Sequence, residues 1–347
     1  MKRHSNKKVI LWIIIAVAVI AAFGAALHLL ENGLFDAEDA DYDPIEDENN
    51  LYLNGAEYQI THNIESYLLI GTDDSGNVEA EGTKEYRGQM ADFLLLFVMD
   101  RTDNTHGYLQ INRNTMLDVP TMDTDGNGEG ESFEQICTAH WYGGAPEHGC
   151  NNTVYCVSTL LGEMPIDGYY SIHMSQVGVL NQAVDGVEIT LDEDFSDADP
   201  MMVKGRTLTL SDSQAEIYVR GRMQVGDGTN EARMQRQMRF MNQFKKQARE
   251  KMNHDNSFIN DLFEELQDEA VTNIQRNRLS VITNQIYKGE DLGILTIDGE
   301  TKIGTTLKDG QEHEEFYADE ASIAEAMVKL CGIDEDHITY EDTGEDE

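Results

Sequence analysis

The chain is short of cations, prolines and cysteines, and these shortages exclude several classes of protein. Among 347 residues, 25 Lys and Arg stand against 65 Asp and Glu, which gives a formal charge of −40 and a pI near 4.3. A protein that holds nucleic acid through a basic surface is therefore excluded. With only 5 Pro and with 40% hydrophobic residues, the chain is not a disordered polyanion and can bury the core of one or two domains.

Formal charge is also absent from a long stretch near the N-terminus. A basic start at 1–8 precedes the run from Val9 to Leu30, which contains no Asp, Glu, Lys or Arg. A helix of that length rises about 30 Å, the thickness of the hydrocarbon core. A cleaved signal peptide is the alternative, because Ala25 and Ala26 are small, but its apolar region is usually about 7–15 residues long. We predict a cytoplasmic start, a transmembrane helix at 9–30, and an extracellular remainder held at the cell membrane.

Two acidic segments bracket a region of ordinary composition. Residues 36–48 hold eight carboxylates and no cation, and the C-terminal residues have a similar composition. Such runs are typical of solvated spacers, which an anionic bilayer repels. We therefore predict an acidic stalk at 31–60, one extracellular domain at 61–332 and an acidic tail at 333–347.

Hydrophobic patterning inside that domain switches between strand and helix. Ser211, with Gln214 three residues on, fits a capping box. Strands interleaved with helices predict a layered α/β domain. The predicted strands are YLLIG (67–71), FLLLFVMD (93–100), GYLQIN (107–112), VEITL (187–191), LGILTI (292–297) and GTTL (304–307), and helical spacing occurs at 154–164, 177–184, 230–251, 258–266 and 321–330.

The four cysteines have no CxxC spacing, so neither a zinc site nor a thioredoxin-type redox pair is indicated. All four follow the predicted anchor, in a compartment where disulfides persist. Cys137 and Cys150 flank a glycine-rich loop that a disulfide would stiffen. We predict that pair as a disulfide and leave the state of Cys156 and Cys331 open.

Side chains that suit phosphate fall at predicted strand ends or on one helix face. Arg113 directly follows a strand, and Arg220 and Arg222 leave the same face of YVRGR if that segment is extended. The long helix adds a set with three- and four-residue spacing: Arg233, Arg236 and Gln237. Guanidinium groups that converge bind the oxygens of a pyrophosphate well, whereas pairing with the abundant carboxylates is the alternative.

Two aspartates also lie at strand ends. Asp73 is in the turn TDDSG after one strand, and Asp92 leads into the next. Carboxylates that meet in this way suit Mg²⁺, which binds through one or two of them together with phosphate oxygens and water. The alternative is a pair of turn-forming aspartates. No Ser/His/Asp or Cys/His constellation is visible.

One acidic loop fits the twelve-residue EF-hand pattern, DTDGNGEGESFE at 123–134. Helices are not predicted on either side of it, so a calcium site and a solvated acidic loop remain alternatives. The calcium ligands would be Asp123, Asp125, Asn127 and Glu134.

Eight motifs occur in unbroken order between residue 66 and about 250: LLIGTDDSG, YRGQMADFLLLFV, INRNTMLDVP, AHWYGG, IDGYYSI, AVDGVEI, YVRGR, and GD followed by ARMQRQMRFM. In this order they resemble the LytR-CpsA-Psr family of Gram-positive envelope proteins. EFYADEASIAEAM resembles the end of such domains. The resemblance implies a three-layer α/β/α domain with a mixed central sheet, anchored in the membrane and catalytic outside the cell.

The activity implied by the resemblance is transfer of an anionic glycopolymer, such as a teichoic acid or capsular polysaccharide, from a polyprenyl-pyrophosphate carrier onto peptidoglycan. Asp73 and Asp92 would hold Mg²⁺, and the catalytic set would be Asp73, Arg113, Arg220 and Arg222. The pyrophosphate would be bound by Arg87, Arg113, Arg220, Arg222, Arg233, Arg236 and Gln237. Candidates for an apolar tunnel around the polyprenyl chain are Leu94, Leu96, Met234, Met238, Met241 and Phe244.

The sequence departs from the family pattern at two places. The family's Arg-x-Asp-Thr step is absent, since Arg87 precedes Asp92 by five residues. Asn114 replaces an aspartate after the third strand, so the general base would be Asp73 or Asp74. A hydrolase that cleaves polyprenyl pyrophosphate and a non-catalytic regulator that binds lipid-linked glycans remain alternative functions.

Overall fold

The structure is a computed structural model that describes residues 50–73, 89–123, 125–173, 176–221, 225, 228–255, 258–267, 270–275, 278, 281–282, 285–286, 288–307 and 311–340. The predicted membrane segment at 9–30 lies outside these ranges. Within them, no helix combines the length and the apolar character needed to cross a membrane.

Strands and helices alternate along much of the described chain. The strands are β1 (Asn50–Leu53), β2 (Ala56–Gln59), β3 (Ile64–Thr72), β4 (Ala91–Asp100), β5 (Thr105–Ile111), β6 (Met116–Met122), β7 (Gly128–Gln135), β8 (Gly168–His173), β9 (Glu188–Thr190), β10 (Thr207–Thr209), β11 (Val271–Thr272), β12 (Glu290–Thr296), β13 (Gly299–Gly304), β14 (His313–Ala318) and β15 (Ile338–Tyr340). The α-helices are α1 (Pro146–Leu160), α2 (Val177–Ala183), α3 (Asp212–Arg220), α4 (Asn230–Met252), α5 (Phe258–Gln267) and α6 (Glu320–Cys331), and a 3-10 helix spans Ile136–Trp141.

A mixed six-stranded sheet in the order β11-β8-β3-β4-β5-β12 forms the centre. β3 is antiparallel to β4 and parallel to β8, while β5 is antiparallel to β4 and parallel to β12. Helices lie on both faces of the sheet, which explains why β3 and β4 are nearly continuous apolar runs. The mixed α/β class and the mixed central sheet are therefore confirmed.

Alternate residues of β4 enter two separate hydrophobic cores. Leu95 and Phe97 pack with residues of α2 to α5, whereas Leu94 and Leu96 pack with residues of α1 and α6. Phe244 of α4 belongs to the first core. The predicted tunnel is wrong in combining Leu94 and Leu96 with the apolar side chains of α4, because the sheet separates them.

Most predicted elements are present, with two corrections at their boundaries. The helix predicted at 154–164 is α1, which begins earlier, at Pro146, where the fixed φ of proline favours the first helical turn. Within GTTL, Gly304 ends β13 and Thr306 and Leu307 form a turn, so the segment is not a strand of its own. The capping box is confirmed: the Ser211 side chain accepts a hydrogen bond from the Gln214 amide, and the Gln214 side chain accepts one from the Ser211 amide.

The globular domain is wider than 61–332. β1 and β2 form a hairpin, and β15 pairs with β2 to complete a three-stranded sheet. Leu51 is fully buried in the same core as α6. Residues 50–60 and 338–340, which were assigned to the stalk and the acidic tail, thus belong to the fold, because a short apolar hairpin needs a covered face to be stable.

Candidate functional site

One edge of the central sheet collects the ends of four strands. β3 and β8 run parallel and end there at Thr72 and His173, β4 begins there at Ala91, and β5 ends there at Ile111. We call it the site edge. At such a position, loops present side chains that the rigid sheet holds in place.

Asp92 reaches the site edge through a β-bulge. Gly71 pairs with Phe93 and Thr72 pairs with Ala91, so Asp92 is an extra residue on β4. A bulge turns a side chain away from the ordinary alternation of the strand. The Asp92 carboxylate forms an ion pair with Arg113, with Oδ1 2.9 Å from Nε.

Arg113 is a largely buried cation, with its side chain 10% exposed, and two of the acceptors around its guanidinium are weak. Its Nη2 donates to Met90 Sδ at 2.7 Å and to Cys137 Sγ at 2.9 Å. Sulfur is a weak hydrogen-bond acceptor. Burial lowers the pKa of Arg113, but the charges of Asp92 and Asp73 and the hydrogen bond to Cys137 outweigh burial and raise this pKa, so the guanidinium stays charged. Arg113 can therefore gain from a stronger acceptor such as a phosphate oxygen.

Asp73 lies on the same edge as Asp92. The Asp73 amide donates to Met90 O and the Met90 amide donates to Asp73 Oδ1, both at 3.3 Å. Both aspartates act on the charge of Arg113, so the sheet brings these three predicted site residues together. Two carboxylates are hard oxygen ligands of the kind Mg²⁺ takes, and the donor chemistry of this edge fits that ion.

The N-terminus of α4 is tied to the same edge. The Asn230 side chain donates to Asn112 Oδ1 at 2.8 Å, and the Asn230 amide donates to Glu314 Oε2 at 3.2 Å. The helix begins at Thr229, whose side chain accepts from the amide of Ala232. A helix N-terminus carries a partial positive charge, which favours an anion beside it.

Arg233 and Arg236 take different positions on α4, although both are buried. Arg233 donates to Asn230 Oδ1 and its charge acts on Cys137, so it lies near Arg113. Arg236 donates to the backbone carbonyls of Tyr218 and Gly221 and pairs with Glu193. Arg236 therefore joins α4 to the end of α3, and a phosphate contact by it stays a prediction.

The remaining predicted phosphate ligands are distributed around this helix pair. Gln237 donates to Val219 O at 3.5 Å and accepts from Gln110 of β5 at 3.4 Å. Arg220 is the last residue of α3, so the condition that YVRGR is extended is not met at this position. Arg87, Arg222 and Asp74 lie outside the described residues.

The predicted disulfide between Cys137 and Cys150 is not formed, since all four cysteines are free and buried. The two thiols face different partners: Cys137 Sγ contacts Arg113, whereas Cys150 Sγ is 3.5 Å from His140 Nε2. Burial raises the pKa of Cys150 to about 12, and burial also raises that of Cys137 despite the opposing charge of Arg113. Both thiols are therefore protonated near neutrality.

Of the two alternatives for the acidic loop at 123–134, the geometry favours a solvated loop over a calcium site. β6 and β7 form a hairpin, and Asp123 Oδ1 accepts hydrogen bonds from the amides of Asp125 and Asn127 near its tip. Glu134 pairs with Leu117 far along β7 and accepts from the Tyr142 hydroxyl. A strand rises about 3.3 Å per residue, so Glu134 is too far from the tip to share an ion with Asp123.

Sequence reasoning missed a second group of polar side chains at the site edge. The amide of Gln89 bonds with Thr72 and His173, and His140 Nδ1 donates to the Gln89 carbonyl at 3.1 Å. Gln89 and His140 lie inside motifs that carry the family resemblance, RGQMAD and AHWYGG, but their spacing along the chain gives no hint that they meet.

The chain belongs to the LytR-CpsA-Psr family, because the model of the LytR_cpsA_psr family matches residues 36–328. At the level of the family, this is a group of cell-wall glycopolymer transferases. No curated protein matches the chain.

Solved structures share the fold at low sequence identity. The Streptococcus agalactiae protein gbs0355 has a TM-score of 0.58 at 18% identity, covering 77% of this chain and 86% of that one. TagV from B. subtilis has a TM-score of 0.53 at 20% identity, covering 79% and 96%. TagT bound to LIIa-WTA has a TM-score of 0.53 at 19% identity, covering 78% and 90%.

Proposed function

We propose that this protein is a membrane-anchored phosphotransferase that moves an anionic glycopolymer from a polyprenyl-pyrophosphate carrier onto peptidoglycan. The observation that carries the proposal is Arg113, a largely buried charge whose guanidinium meets one carboxylate and two sulfur atoms. A phosphate oxygen is a stronger acceptor than sulfur, so a pyrophosphate at the site edge would complete the guanidinium's bonds. The family membership and the structure of TagT with LIIa-WTA support a ligand of this class.

Different residues of the site edge have different roles in the proposed phosphoryl transfer. The acceptor hydroxyl attacks the sugar-side phosphorus and forms an O–P bond, while a carboxylate of the site edge takes the hydroxyl proton. The P–O bond of the pyrophosphate breaks, and polyprenyl phosphate leaves. Arg113 and Arg233 neutralise the phosphate oxygens, and the N-terminus of α4 adds partial positive charge. Asp73 and Asp92 would hold Mg²⁺, which supplies charge neutralisation when bound.

The test is mass spectrometry of the products when the full-length protein in detergent is mixed with Mg²⁺, a short polyprenyl-pyrophosphate glycan and peptidoglycan oligomers. We expect a phosphoglycan joined to peptidoglycan, and loss of that product in Asp73→Ala and Arg113→Ala. Free glycan phosphate as the sole product would indicate a hydrolase, and bound but unchanged lipid would indicate a regulator. Full turnover by both variants would refute the site assignment.

A further inference from the structure

His173 has one ring nitrogen held by the protein and the other open. It ends β8 at the site edge and is partly exposed. Its Nδ1 lies 3.1 Å from Gln89 Nε2 and 3.3 Å from Thr72 Oγ1. Its Nε2 has no hydrogen-bond partner among the described residues.

The amide of Gln89 decides which nitrogen of His173 carries the proton. Thr72 Oγ1 donates to Gln89 Oε1 at 2.8 Å, which leaves Gln89 Nε2 as the group that faces the imidazole. An amide NH₂ can only donate, so His173 Nδ1 accepts. The neutral ring then carries its proton on Nε2, the open nitrogen.

The backbone of Gln89 is hydrogen-bonded to a buried histidine, His140. Its backbone carbonyl accepts from His140 Nδ1 at 3.1 Å, and His140 Nε2 faces the Cys150 thiol at 3.5 Å. Burial lowers the pKa of His140 to about 4, so this ring is neutral at physiological pH and its single N–H is on Nδ1. These hydrogen bonds hold the backbone of Gln89 in place. The side-chain amide that orients His173 therefore starts from a fixed backbone position.

This set of hydrogen bonds is continuous with the phosphate-binding part of the site edge. Gln89 is followed by Met90, whose sulfur contacts Arg113 and whose amide donates to Asp73. Thr72, which also contacts His173, directly precedes Asp73. His173 therefore lies at the same strand ends as Asp73, Asp92 and Arg113.

We propose that His173 is a further substrate-contacting residue, whose Nε2–H donates a hydrogen bond to an anionic oxygen of the bound pyrophosphate, and that Gln89 is the positioning residue that fixes this tautomer. The inference rests on the proposed function. An Nε2 that carries the proton serves as a donor and cannot take the proton of the acceptor hydroxyl, so His173 is not the general base.

The tautomer is tested by ¹⁵N NMR of the full-length protein labelled at histidine, with the His173 signals assigned by their loss in His173→Gln. We expect shifts of a neutral ring protonated on Nε2 at pH 7.5, and loss of this single tautomer in Gln89→Leu. Protonation on Nδ1 in the parent would overturn the proposal.

The contact is tested by calorimetric binding of farnesyl pyrophosphate with Mg²⁺. A hydrogen bond to a charged group contributes about 1.5–3 kcal/mol, so His173→Ala should weaken binding about 10-fold or more, with a smaller loss in Gln89→Leu. His254→Ala, which removes an exposed histidine at the end of α4, should bind like the parent. Unchanged affinity in His173→Ala together with loss in Arg113→Ala would refute this inference alone, whereas unchanged affinity in both would also count against the proposed function.

Discussion

Two largely buried arginines show how differently one residue type can be used in this protein. Arg236 finds two backbone carbonyls and a carboxylate, which are strong acceptors, whereas Arg113 finds one carboxylate and two sulfur atoms. A guanidinium has five N–H donors and gains most from oxygen acceptors. Arg236 therefore already has strong acceptors within the fold, whereas Arg113 would gain more from a phosphate oxygen; for both residues a phosphate contact stays a prediction.

A histidine far from the site edge should make stability depend on pH. His62 Nδ1 is 2.6 Å from Oδ2 of the buried Asp100, and this hydrogen bond raises the pKa of His62 against the opposing effect of burial, with Asp103 and Asp334 adding to the rise. The stabilisation is present below the ordinary pKa of about 6.5 and is lost as pH rises through the raised value. Thermal unfolding from pH 6 to 9 should show Tm falling more steeply in the parent than in His62→Gln.

The matched control for this measurement is His254→Gln, which removes an exposed histidine. Its Tm should follow the parent profile. If the parent and His62→Gln gave parallel curves, the His62–Asp100 pair would not contribute the pH dependence.

At the scale of elements, α4 connects the site to the rest of the fold. Its first turn is bonded to Asn112 and Glu314 beside the site edge, and Arg236 joins it to the end of α3. The sequence predicted α4 nearly to the residue, because an apolar stripe at helical spacing is a local signal. The connections to α3 and β14 depend on residues far apart in the chain and could not be predicted.

Removing Arg236 should destabilise the protein far more than removing its neighbour on the surface. Arg236→Ala leaves Glu193 and two backbone carbonyls without their donor, and breaking a buried pair costs about 3–5 kcal/mol. Arg239→Ala removes an exposed pair with Asp192 and should cost about 1 kcal/mol or less. Urea unfolding measures both, and equal losses would show that Arg236 does not hold the two helices together.

At the scale of the whole molecule, segments near the two ends of the described chain pair with each other. β15 near the C-terminal end pairs with β2 near the start of the described residues, and α6 packs in the same core as Leu51. The acidic composition around these segments predicted spacers, but burial of alternate apolar residues decided otherwise. Ile333, for example, is 6% exposed, although it stands next to a run of carboxylates.

Truncation at two positions tests where the domain ends. A chain that stops after Gly332 loses Ile333 and β15, and the buried isoleucine alone contributes about 1.5–3 kcal/mol. A chain that stops after Tyr340 keeps β15 and loses only residues 341–347. We expect a lower Tm for the first truncation and an unchanged Tm for the second. An unchanged Tm for both would show that β15 does not stabilise the domain and belongs to the acidic tail.

The sequence by itself determined the elements, the family and the part of the site that lies at strand ends. Apolar runs, the capping box and the long helical stripe are local patterns, and Asp73, Asp92 and Arg113 meet because neighbouring strands end at one edge. The tertiary structure decided which partners the side chains have. The free thiols, the role of Arg236 and the Gln89–His173 pair depend on contacts between distant segments, whose free energy comes from burial and packing that spacing along a chain does not encode.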